Sequence, residues 1–158
     1  MESISSEDIN RTLLISIRKI ISAADRHSRR LIKIYGLTIP QLLVLQEVMV
    51  SGGCTISRLT GAISLSQPTV TDIVERLSKR GFLKRSPSGT DRRSNIITIT
   101  DEGITLLSKQ PSLFPAPFLD ALHNLQDWEQ TLMLSTLQRM ARMMSSDSDS
   151  SSIILTDR

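Results

Sequence analysis

The residues best able to do chemistry on a bound molecule lie close together. The stretch SGTDRRSNIITIT, from Ser88 to Thr100, sets Asp91, Arg92 and Arg93 in a turn-like segment just before an alternating strand pattern. Two guanidiniums with a carboxylate to orient them suit capture of an anionic partner better than a bond-breaking reaction. Reactive groups are sparse elsewhere. His27 and His123 are the only histidines, so a histidine-based metal site would need carboxylates or a second subunit. Cys54 is the only cysteine, which excludes an internal disulfide and a cysteine-based zinc site. No glycine-rich phosphate loop, metal-ligand spacing or nucleophile motif occurs. An enzyme is therefore not expected, and neither a cofactor nor a metal.

Charge points to the same stretch. The net charge of +3 is unevenly spread: +2 over Met1–Cys54, +5 over Thr55–Thr100 and −4 over Asp101–Arg158. A local basic excess suits a polyanion such as nucleic acid. The 158 residues allow one domain with arms, and few aromatics among many aliphatics favour helix-on-helix packing. No apolar run approaches the roughly 20 residues of a membrane helix, and MESISSED lacks a signal pattern, so a cytoplasmic protein with no membrane partner is expected.

The elements that must position the basic stretch are legible in turn. With Ser6 as cap, Ile9, Leu13, Ile17, Ile20, Ala24, His27, Leu31 and Ile34 recur at helical spacing, giving one long helix ending at Gly36. Thr38 caps a second helix with Pro40 in its first turn, ending at Ser51-Gly52-Gly53. A short third helix spans about Ile56 to Ala62. Ser66 caps a fourth, with Val70, Ile73, Val74 and Leu77 inward and Gly81 at its end. FLKRSPS and NIITIT read as paired strands. Thr100 caps a fifth helix, which Pro111, Pro115 and Pro117 break or kink, and a last helix covers about Gln126 to Met144. The Ser/Asp-rich tail at 145–158 is expected to be disordered.

Helix, short helix, helix and hairpin make a winged helix-turn-helix. In that geometry the outer face of the fourth helix enters the major groove of double-stranded DNA, and the hairpin tip reaches the neighbouring minor groove. Gln67, Pro68, Thr69, Thr71 and Arg76 are then expected at the DNA. On the hairpin, Arg93 enters the minor groove with Asp91 orienting it, and Arg92 and Lys84 meet phosphates. Asp72 and Glu75 are awkward on such a face; they either accept from cytosine amino groups, orient Arg76, or sit too far out.

The stretch DRRSNIITITDEG resembles the wing signature of the MarR family of bacterial transcription regulators. Asp91, Arg93 and Thr100 match, and Ile99 stands where leucine is usual. LSQPTVTDIVERLSKRGFLKR resembles the family's recognition helix. DRHSRRLIKIYGLTIPQLLVLQ and DWEQTLMLSTLQRMARMM resemble a subgroup that includes repressors of compatible-solute (ectoine, betaine) genes. The resemblance implies a mainly α fold with a two-stranded wing. It divides the chain into a dimerisation helix at 1–36, the winged domain at 37–100, C-terminal dimerisation helices at 101–144 and the tail at 145–158. It implies a homodimeric, nucleoid-associated repressor that binds a palindromic operator. A small molecule or a solute or ionic signal would release it, with His27, Arg30 and Tyr35 near the effector cleft.

Two alternatives stand beside this reading. One is a winged-helix module that binds protein, which would favour an apolar recognition helix and an uncharged wing tip. The other is redox regulation through Cys54, which has no basic neighbour in sequence to activate it.

Overall fold

The computed structural model describes residues 5–87 and 95–149. It has seven helices and two strands among those residues. Two compact units divide the chain, Met1–Phe114 and Pro115–Arg158.

In the first unit, α1 runs from Ser6 to Tyr35. Its cap is Ser5 rather than the expected Ser6: the Ser5 hydroxyl accepts from Glu7 N–H at 3.2 Å. Glu7 and Asp8 lie in the first turn, where the helix dipole favours carboxylates. The helix stops at Gly36, which takes a left-handed φ of 66°. A helix of 30 residues is about 45 Å long. Of its expected apolar stripe only Leu31 is buried; Ile20 is 58% exposed and Ile34 56%.

The α2 helix, Ile39–Ser51, begins with a reciprocal capping box. Thr38 accepts from Gln41 N–H, and the Gln41 side chain accepts from Thr38 N–H. Its buried Leu42, Val44, Leu45 and Val48 form the centre of the core. Each buried aliphatic contributes about 1.5–3 kcal/mol relative to exposure. The α3 helix, Ile56–Ile63, runs one residue past the expected end at Ala62 and leads through left-handed Ser64 into α4, Gln67–Lys79. Leu59 of α3 and Val70, Ile73, Val74 and Leu77 of α4 close the core, as the apolar spacing predicts.

Strands β1, Leu83–Pro87, and β2, Asn95–Ile99, pair antiparallel with Leu83 opposite Ile99 and Pro87 opposite Asn95. Cys54 forms an isolated antiparallel bridge to β2: its N–H donates to Ile97 O at 3.0 Å and its carbonyl accepts from Ile97 N–H at 2.8 Å. The α5 helix, Asp101–Ser108, is capped by Thr100, which accepts from Gly103 N–H at 3.1 Å. Its Leu106 joins the core. It ends before the prolines, with Gln110 at φ 53°.

The second unit comprises α6, Ala116–His123, and α7, Asp127–Asp149. The prolines start a helix here instead of kinking one: Pro115 is the N-cap of α6 and Pro117 lies in its first turn. The Glu129 carboxylate accepts from Gln126 N–H at 2.8 Å at the start of α7. That helix continues through Asp149, past the expected end at Met144, so 145–149 are helical rather than disordered. Leu134, Leu137 and Met144 are all more than half exposed. No single described helix is long and apolar enough to cross a membrane.

Candidate nucleic-acid interface

The α4 helix presents one face because the other is committed to the core. Val70 and Val74 are fully buried, while Gln67, Pro68 and Thr69 in the first turn are exposed. Ser66 holds that turn: its hydroxyl accepts from Thr69 N–H at 3.4 Å and lies 2.7 Å from Thr69 Oγ1. Pro68 lacks the amide hydrogen that the first turn would leave unpaired, so it fits without loss. The Thr71 hydroxyl donates to Gln67 O at 2.8 Å, which leaves its oxygen lone pairs as acceptors. The Gln67 side-chain amide has no hydrogen-bond partner among the described residues, which leaves its donors and acceptor available to a ligand.

Further along the same face the charges are paired. Arg76 Nη2 lies 2.9 Å from Asp72 Oδ2, and Lys79 Nζ lies 2.7 Å from Glu75 Oε1. All four side chains are more than half exposed. The hydrogen bond from Lys79, then its charge, holds the Glu75 carboxyl below its ordinary value; desolvation opposes them, and the charges of Arg85 and Arg76 add weaker lowering. Of the three expectations for the two acids, the structure therefore brings Asp72 to Arg76.

Lys84 is exposed on β1, opposite Thr98. Arg85 beside it is also exposed and lies near enough to Glu75 to act on its charge. Sequence reasoning missed Arg85, although "FLKR" places a second cation at the base of the hairpin. It also missed Arg80, which is directed away from the α4 face. Arg80 Nη1 donates to Gly36 O at 2.7 Å, and its guanidinium lies 4.8 Å from the Phe82 ring centroid. The expectations for Asp91, Arg92 and Arg93 fall outside the described residues.

Two of the three residues expected near an effector cleft, His27 and Tyr35, are engaged by backbone carbonyls. His27 Nε2 lies 2.8 Å from Ser112 O, and the Tyr35 hydroxyl donates to Lys109 O at 3.3 Å. Both side chains thus fasten α1 to the segment after α5, and Arg30 is exposed. An open cleft of about 490 Å3 lies along Ile15, Arg18, Lys19, Ser22 and Arg26 of α1. Cys54 is 3% exposed, so redox regulation would have to work through a shielded thiol. The described residues hold no group of three or more His, Cys, Asp or Glu suited to a metal.

Known proteins share this architecture. The MarR family model matches residues 37–95. YsmB of Bacillus subtilis, an uncharacterised HTH-type transcriptional regulator, is 26% identical over 129 residues, covering 82% of this chain and 88% of YsmB. Among solved structures, the Streptomyces coelicolor MarR family regulator Sco3205 in complex with DNA aligns with a TM-score of 0.74 at 19% identity, over 89% of each chain. BpsR of Bordetella bronchiseptica, whose DNA binding is regulated by 6-hydroxynicotinic acid, aligns with a TM-score of 0.67 at 23% identity, over 89% of this chain and 98% of BpsR. The expected mainly α, winged fold is borne out: residues 37–95 match a MarR family domain, and the relatives this chain is similar to are HTH-type transcriptional regulators.

Proposed function

We propose that the chain is a homodimeric repressor that binds a palindromic operator in the bacterial cytoplasm, at the nucleoid. The observation that carries this reading is the first turn of α4. Gln67, Pro68 and Thr69 are held outward by a buried apolar face and a serine cap. Amide and hydroxyl groups so placed can read base edges in a major groove. The polar outer face of α4 also argues against a module that binds protein through an apolar surface.

The dimer rests on unused apolar surface. On α1, Ile9, Leu13, Ile20 and Ile34 are each more than two-fifths exposed, and Leu134, Leu137 and Met144 of α7 are each more than half exposed. Two-fold pairing through residues 1–36 and 101–144 would cover them and present two α4 helices to one side of the duplex. A small molecule or an ionic signal would release the DNA. The region of His27, Arg30 and Tyr35 suits a small molecule, since a ligand there would compete for the ties between α1 and the segment after α5. The regulation of BpsR by 6-hydroxynicotinic acid supports looking for an aromatic acid.

Selection from a randomised duplex library, followed by sedimentation of the protein alone and on the selected duplex, tests the reading. The expected result is a dimer at micromolar concentration and a symmetric site with half-sites about one helical turn apart. A stable monomer, or a selected site without two-fold symmetry, would sink it. Aromatic acids and osmolytes that leave both melting temperature and DNA affinity unchanged would remove the effector.

A further inference from the structure

The recognition helix carries no net charge on the face it presents. Asp72 and Glu75 cancel Arg76 and Lys79, and Arg80 is turned toward Gly36. The net +5 of Thr55–Thr100 therefore lies off that face. Part of it is Lys84 and Arg85 on β1, and part is Arg92 and Arg93 in the hairpin sequence.

Helical pairs four residues apart are common on solvated surfaces and stabilise an isolated helix by only a few tenths of a kcal/mol. Position is what distinguishes these two. At about 100° per residue, Asp72, Glu75 and Lys79 lie near the crest of α4, opposite Val70, Ile73, Val74 and Leu77. A helix entering a major groove at that crest runs between two walls of phosphate. Free lysine and arginine there would bind any duplex, because phosphate contacts carry no sequence information. Carboxylates there repel the walls, and each holds its cation within 3 Å of itself.

Resting on the proposed operator binding, we infer that Asp72 and Glu75 are specificity-determining residues: by neutralising Arg76 and Lys79 they suppress indiscriminate phosphate binding by α4 and leave selection to the uncharged Gln67–Thr71 turn. Specificity is a difference between affinities, and a built-in repulsion against the wrong duplex raises it as surely as a new contact with the right one. Asp72 also fixes the direction of Arg76, so that a guanidinium reaching the DNA does so from one rotamer.

The test uses the full chain with the isosteric double change Asp72→Asn and Glu75→Gln, on two probes. One is the duplex that the parent protein selects from a randomised library, and the other is the same duplex shuffled. Both side chains are exposed, so the fold is expected to survive, and an unchanged melting temperature verifies it. Freeing two cations should tighten binding to the shuffled duplex at least about tenfold at about 0.1 M salt, and steepen its salt dependence by about two units per subunit. The selected duplex should gain less, so the ratio of the two affinities falls. Equal gains on both probes, or a shuffled-duplex affinity unchanged within about twofold, would overturn the inference. Loss of the selected duplex alone would also overturn it, because the carboxylates would then be reading bases directly. A parent protein that selects no sequence would remove the proposed function itself, and the inference with it.

Discussion

The guanidinium of Arg80 closes the end of α1: its Nη1 donates to the carbonyl of Gly36 at 2.7 Å. Gly36 is the left-handed residue that terminates α1, and Arg80 is the residue that terminates α4. The contact spans 44 residues of sequence. It joins the ends of the two helices whose relative position would matter most to a dimer on DNA. The Phe82 ring under the guanidinium steadies it.

Arg80→Ala removes one hydrogen bond from a charged donor and one exposed cation–ring contact. It should destabilise the protein by about 1–2 kcal/mol. Gly36→Ala should cost about 1 kcal/mol for the left-handed backbone, and its Cβ would stand 3.0 Å from Arg80 Nη2. Urea denaturation of both single variants and the double variant reads the coupling. Fully additive losses, or a loss for Arg80→Ala within the 0.5 kcal/mol or so of an ordinary surface change, would mean the tie has no energetic weight.

Gly103 is fixed by crowding rather than by its own backbone. A Cβ there would meet Phe82 O at 2.5 Å and Ile99 Cγ1 at 2.6 Å, so α5 lies directly against the base of the wing. Gly103→Ala should destabilise by about 1–3 kcal/mol despite the better helix propensity of alanine. Thermal melting measures it. An unchanged or higher melting temperature would show that α5 sits further from the strands.

Glu75 titrates within a cluster of cations. Its folded value lies below the ordinary 4.5, so its pairing with Lys79 is fully present above that value and is lost as pH falls through the lower folded value. Side-chain NMR of Glu75 should give a midpoint below 4.5. Lys79→Met should raise that midpoint, since the Lys79 hydrogen bond is the leading cause. A midpoint that does not move would place the cause elsewhere, with Arg85 or Arg76.

Local chemistry made much of the fold legible. Thr38, Ser66 and Thr100 cap helices as their side chains predict, and Val70, Ile73, Val74 and Leu77 fall inward by spacing alone. What stayed hidden is non-local. Nothing in "SKRG" distinguishes Arg80, which meets a carbonyl 44 residues away, from Lys79, which pairs one turn back. Gly103 reads as a plain helix residue until the strand beneath it is in place. His27 falls on the apolar stripe of α1 by periodicity, but nothing in sequence names its partner, the carbonyl of Ser112 in an irregular segment. Proline marks were correctly seen as breaks after α5, but Pro115 and Pro117 also begin α6, a role that only the capping geometry reveals.

Reading and anchoring on DNA should separate by residue. Gln67 has an unengaged amide at the first turn of α4, and Lys84 projects from β1. Gln67→Ala should lower affinity for the selected duplex by about 1–3 kcal/mol and relax preference at one base pair of each half-site. Thr71→Ala should do less, because the Thr71 hydroxyl hydrogen is already committed to Gln67 O and only its lone pairs remain. Lys84→Ala should weaken selected and shuffled duplexes about equally and flatten the salt slope by about one unit per subunit. If Arg93 makes the minor-groove contact its sequence context suggests, Arg93→Ala should cost about 1–3 kcal/mol on the selected duplex. Circular dichroism first establishes that each variant is folded. Arg93→Ala binding the selected duplex as the parent does, at physiological salt, would remove Asp91 and Arg93 from the expected DNA contacts. Equal losses on both duplexes for Gln67→Ala would move base reading away from the first turn of α4.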